Sequence, residues 1–273
     1  MFNLLFFTTS SSKIMIEVKL MISVKYVEKT LDEQIDAIKM FLNEPNDLSM
    51  YLVNYFNLTD YFHKTETEKN LLLKQKFGEL YRDNQDLLAK KVETCQRQWE
   101  KHKDFINSQF QAIFGEKFDF DCVAHVNFNP ICPRFIESKE FDVNALDNDA
   151  GILETSLHEI IHFAWFKDWK EQFPKTNHTD MNAPSLDWLI SEIAVDPIFK
   201  NSELKSFLIT EPAYDYLYQE KINGQNLMKV VNDLYRQSSS IKEFQNQMLV
   251  LMNSKEKAQA THTTVIPEPE REL

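Results

Sequence analysis

The sequence predicts an α+β, helix-rich fold: a small sheet early in the chain, followed by a helical C-terminal lobe. Three observations carry this. Residues 14–26 and 118–129 alternate apolar and polar positions with period two, the pattern of half-buried strands. Apolar residues recur at helical spacing through most of the remainder. The 273 residues include only four glycines, Gly78, Gly115, Gly151 and Gly224, which leaves little material for tight hairpins.

Taken in order, residues 1–13 predict a flexible leader with too short an apolar run for a signal peptide. The strand over 14–26 places Ile14, Ile16, Val18, Leu20, Ile22, Val24 and Tyr26 on one face. Thr30 and Glu33 form a capping box that opens a helix ending near Pro45. Residues 47–114 contain no proline and predict three helices, the last close to 30 residues long. Beyond the second strand, Phe135-Ile136 and Phe141 to Val143 suggest short strands. From Asp149, read as an N-cap, the chain is helical almost to its end. Ser240 and Glu243 form a second capping box. Residues 254–273 predict a polar, disordered tail. The organisation expected is a single domain over 14–253 with two lobes, 14–148 and 149–253.

Composition excludes several functions. Phosphate-cradling loops need closely spaced glycines, and this chain has neither G-x-G-x-x-G nor G-x-x-x-x-G-K-[ST]. A net charge of −12 argues against nucleic acid and against an anionic membrane surface. No apolar run reaches a membrane span. Three cysteines do not make a disulfide framework, and reduced thiols point to a cytoplasmic location. Cys122, His125 and Cys132 lie close in sequence but lack paired C-x-x-C spacing, so a thiolate site is not expected there.

The chemistry concentrates in residues 154–165, ETSLHEIIHFAW. His158 and His162, four apart on a helix, lie one turn above each other and can reach one ion. Glu159, about 100° further round, stands beside that ion without ligating it. The motif alone arises by chance in about one chain in a hundred. Its neighbours are nearly all apolar, so the polar stripe of Thr155, His158, Glu159 and His162 needs partners. Thirty residues on, Glu192 and Asp196 repeat the four-residue spacing in another apolar segment. A His₂Glu zinc site needs a third ligand from a second helix, and Glu192 fits. Asp196 is placed to accept a ring N–H from a ligating histidine.

H-E-x-x-H followed by E-x-x-x-D resembles the gluzincin metallopeptidases, the thermolysin-like branch of the zincins. The resemblance covers about 118–196, under a third of the chain. It implies a zincin-like fold, in which a small mixed sheet lays an edge strand over the active-site helix and pairs it with extended substrate; residues 118–129 are the candidate strand. It implies one Zn²⁺ held by His158, His162 and Glu192, with Glu159 as general base and Asp196 behind the ligands. The expected activity is zinc-dependent hydrolysis of peptide bonds in a peptide or protein substrate. Ser191 replaces the Asn that precedes the Glu in the best-known members. No downstream histidine takes the transition-state role, so Tyr214, Tyr216 and Tyr218 are the candidate donors, ahead of His178. Trp165, Trp169 and Trp188 are expected in the core rather than lining the cleft. The helices before Gly115 are expected to restrict entry to the cleft. The alternatives are a zinc-binding regulatory protein without turnover, or a dedicated protease of one partner such as a repressor.

Overall fold

The computed structural model describes residues 4–9, 12–17, 20–177 and 179–263. It is helix-rich with a small mixed sheet, an α+β arrangement. The chain opens with β1 (Leu4–Thr9) and β2 (Ser12–Glu17), an antiparallel hairpin. The single strand expected over 14–26 is therefore two: β2 takes β1 as a local partner, and β3 (Ile22–Glu28) joins a different sheet. Ile22, Val24 and Tyr26 of β3 are buried, the face that the alternation selected.

Next come α1 (Leu31–Lys39), α2 (Asp47–Tyr55) and α3 (Glu66–Phe114). Thr30 and Glu33 cap α1 reciprocally, as the sequence pattern specifies. The third helix is longer than expected because it continues through a kink at Asn84, whose side chain bonds the Leu80 carbonyl at 2.9 Å. The stretch after the kink is the long helix read from the sequence. Gly115, at φ 76°, ends it in the left-handed conformation that glycine adopts at least cost.

Three strands follow: β4 (Phe120–Asn127), β5 (Arg134–Phe135) and β6 (Glu140–Asn144). The sheet order is β3-β4-β6-β5, with β3, β4 and β6 parallel and β5 antiparallel to β6. Residues 118–129 were the candidate edge strand; instead β4 lies in the interior, paired on both sides. The edge at β3 is closed by α3. Asn107 bonds the Ile22 N–H and carbonyl at 2.7 and 3.1 Å, and Gln96 bonds the Tyr26 N–H and Val24 carbonyl, each at 3.0 Å. Side-chain amides thus take the place of a neighbouring strand. The other edge is β5.

The C-terminal lobe contains α4 (Asp149–Gln172), α5 (Leu186–Lys200), a small hairpin of β7 (Lys221–Ile222) and β8 (Gln225–Asn226), α6 (Leu227–Gln237) and α7 (Ile241–Thr263). The N-cap of α4 is Asn148, not Asp149: Asn148 Oδ1 accepts the Gly151 N–H at 2.9 Å. At α7, Ser240 Oγ accepts the Glu243 N–H, but the Glu243 carboxylate reaches back to Ser239, so the box is shifted by one residue. This helix runs through the first ten residues of the expected tail; residues 264–273 lie outside the described residues.

One large core joins the four-stranded sheet to α3, α4, α5, α6 and α7. A smaller one joins α1, α2 and the first part of α3. Trp165 and Trp169 are in the large core, stacked at 5.7 Å. No helix among the described residues is long and apolar enough to cross a membrane.

Candidate metal centre

Helix α4 is buried on nearly every side, between β6 and α3 on one flank and α5 and α7 on the other. Its polar stripe is therefore forced into the interior. Ser156 fixes the helix against the sheet through a 2.8 Å bond with the Tyr26 hydroxyl. Glu154, two residues before it, accepts the Ile209 and Thr210 N–H groups and the Thr210 hydroxyl, which anchors the loop leading to the tyrosines.

His158 and His162 project from α4 toward Glu192 on α5. Their Nε2 atoms are 3.0 Å apart, and Glu192 Oε2 is 3.5 Å from each. A tetrahedral zinc with ligand bonds of about 2.0–2.1 Å holds neighbouring donors about 3.3 Å apart. The triangle has that size. Among the described residues these three are the only group of histidine, cysteine and acidic side chains close enough to share an ion. The side chains of His162 and Glu192 are 0 % and 3 % exposed, whereas His158 is 21 % exposed.

The sequence reading missed Arg134. It enters from the edge strand β5 with its side chain only 11 % exposed, and pairs with both carboxylates: NH2 to Glu192 Oε1 at 2.7 Å, NH1 to Glu159 Oε2 at 3.5 Å. The available signal was a lone arginine between Pro133 and the apolar pair Phe135-Ile136.

With both imidazoles neutral, two carboxylates and one guanidinium leave one negative charge buried without a counterion, a costly arrangement that a divalent cation relieves. Glu159 Oε2 and Glu192 Oε1 have the guanidinium charge beside them but no hydrogen bond of good geometry, and the same is true of Arg134 Nε and NH2. The donor set of two imidazoles and a carboxylate matches His₂Glu zinc chemistry. The residues fit the ion.

The electrostatics separate the groups. Burial, reinforced by Arg134, pushes the His162 imidazole down to about 3, so it is neutral, the form a ligand must take. Burial also lowers His158, but its hydrogen bond to Glu192 and the Glu159 and Glu192 charges outweigh this and raise it. Burial raises the Glu159 carboxyl, with Arg134 opposing. Burial works against the Glu192 carboxylate, but the Arg134 charge and hydrogen bonding from the His158 and His162 rings hold it well below the usual range.

Asp196 does not serve the histidines. Its carboxylate is engaged by Tyr218 Oη at 2.7 Å, Asn232 Nδ2 at 2.8 Å and Lys200 Nζ at 2.7 Å. Its partners lie on α6, at the Tyr218 turn and one turn further along α5 itself. The same contact removes Tyr218 as a transition-state donor, since its hydroxyl is committed to Asp196 and also accepts the Ala213 N–H. Tyr214 and Tyr216 are half-exposed and stacked at 5.9 Å. Burial and the Glu192 charge push the Tyr214 hydroxyl up to about 12, with Arg134 opposing; Tyr216 is raised by burial and by Glu192. Tyr214 also lies against half-buried Trp188, with centroids 6.2 Å apart. His178 lies outside the described residues.

Cys122, His125 and Cys132 are not brought together. Cys122 is buried in the sheet with its thiol pushed up to about 12 by burial, His125 pairs with Glu140 at 3.3 Å, and Cys132 Sγ contacts the Asn129 carbonyl.

No family model matches the chain, and no characterised protein or solved structure is significantly similar to it.

Proposed function

We propose that the chain is a zinc-dependent peptidase of the gluzincin type on a zincin-like fold. The observation that carries this reading is the triangle of His158 Nε2, His162 Nε2 and Glu192 Oε2, of tetrahedral zinc dimensions, with Glu159 beside it. When bound, zinc supplies a Lewis acid that acidifies water and polarises a carbonyl. Glu159 takes the proton of the attacking water and passes it to the leaving amine; its raised proton affinity suits a group that must both accept and return a proton near neutral pH. Tyr214, on the loop anchored by Glu154, is the preferred donor to the developing oxyanion. The edge strand β5 offers backbone groups to an extended peptide. Three free cysteines fit a reducing, cytoplasmic setting.

The test is metal analysis after exchange into metal-free buffer, then loading with zinc, joined to hydrolysis of a peptide library. Wild type should retain one zinc, Glu192→Ala should lose it, and Glu159→Gln should keep it without turnover. Wild type that takes no zinc when zinc is supplied would overturn the proposal. One observation favours a second reading, a zinc-binding regulatory protein without turnover: Arg134 competes for the carboxylate of the base. Zinc bound by wild type with no hydrolysis across the library would select that reading.

A further inference from the structure

We propose that Arg134 is a positioning residue of this centre: by holding Glu192 Oε1, it restricts the third ligand to Oε2 and leaves a coordination position open for water and substrate. The proposal rests on the zinc reading above and deepens it.

The two oxygens of Glu192 have different neighbours. Oε2 faces both imidazoles at 3.5 Å, while Oε1 meets the guanidinium at 2.7 Å. A carboxylate with both oxygens free toward a small cation can close on it through both, which adds a fifth donor and crowds the position a catalytic zinc keeps for water. A guanidinium beside one oxygen opposes this, because its positive charge, 2.7 Å away, favours Oε1 where it is. The other arm of the same planar group reaches Glu159, so one rigid side chain sets the ligand and the base relative to each other. The backbone of Arg134 is held by the sheet. It stands opposite Phe141 in the pairing of β5 with β6, and the neighbouring Pro133 carbonyl accepts the Asp142 N–H at 2.9 Å. Carboxylate ligands generally need such an outer partner. Asp196, the residue expected behind the ligands, is turned away from them, and Arg134 occupies that place from the sheet side.

The experiment reads coordination number directly. Wild type, Arg134→Met and Arg134→Gln are loaded with Co²⁺ in place of zinc, and the visible d–d absorption is recorded. Four-coordinate cobalt absorbs several-fold more strongly than five-coordinate cobalt. Methionine removes the charge while keeping a long side chain. Glutamine stops short of Glu192 but remains polar, and it serves if the methionine variant does not fold. Wild type should give the strong spectrum, and a folded Arg134 variant should give one several-fold weaker, with cobalt still bound. Identical strong spectra in wild type and variant would overturn the role of Arg134 while leaving the metal centre intact. A folded variant that retains no cobalt would also overturn it, since Arg134 would then govern binding rather than the mode of ligation. Wild type that takes up neither cobalt nor zinc would overturn both the metal reading and this one.

Discussion

Two carboxylates meet one guanidinium at this site, yet they are driven in opposite directions. Glu192 has His162 and Arg134 close by and stays ionised, as a ligand must; Glu159 is dominated by its burial and binds its proton more readily than an exposed glutamate. On the proposed reading, that difference divides the labour between a ligand and a base. Glu159→Gln should accordingly lower kcat by about 10²–10⁴-fold with zinc content unchanged, measured on a short peptide. The tyrosines separate in the same way. Tyr214→Phe should reduce kcat and leave the melting temperature near that of wild type. Tyr218→Phe should instead cost about 1–3 kcal/mol of stability in denaturant titration, because the buried carboxylate of Asp196 loses a donor. A loss of activity in Tyr218→Phe without loss of stability would reverse these assignments.

At the scale of elements, α4 carries more than the motif. Asp168, two turns beyond His162, is 1 % exposed, and neither oxygen has a hydrogen-bond partner. Burial, with the Glu116 carboxylate adding to it, pushes its pKa up to about 7 from an ordinary 3.8. The folded form therefore holds a proton that the unfolded chain releases at lower pH. The associated stability is fully present below pH 3.8 and is lost as pH rises through 7. Asp168→Asn removes that loss. The variant should melt higher than wild type at pH 8 and at a similar temperature at pH 4, in scans across that range. An equal difference at both pH values would show that the effect is packing rather than ionisation. The sheet makes a related point about edges. Gln96 and Asn107 consume the backbone groups of β3, which leaves β5, the strand that delivers Arg134, as the edge facing the metal centre.

For the whole molecule, the cluster sits between the sheet and two helices that belong to one core, so an ion bound there is coupled to global stability. Zinc at a hundredfold above its Kd should stabilise the protein by about 2.7 kcal/mol, read as a rise in melting temperature that chelation reverses and that Glu192→Ala abolishes. On the peptidase reading, the depth of the site would limit substrates as well. With His162 and Glu192 almost fully enclosed, short peptides should be cleaved faster than denatured proteins of matching sequence; equal rates would argue for an open cleft.

The helical frame, the capping of α1 by Thr30 and Glu33, the buried face of β3 and the grouping of His158, His162 and Glu192 were all legible in the sequence. Each rests on a local rule, a period of two or of 3.6 residues, or on the cost of placing polar groups in an apolar segment. Those rules do not extend to the partner strand that splits 14–26, to the interior position of β4, or to the direction in which Asp196 points. The tertiary structure also decided that Tyr218 is engaged with Asp196 and that Arg134 joins the cluster. Arg134 and Glu192 are brought together only when the edge strand and the second helix close on α4, and no spacing along the chain records that approach. Sequence alone determined the chemistry available to the site. Packing of distant segments decided which charges surround it, because burial and electrostatic pairing depend on neighbours in space.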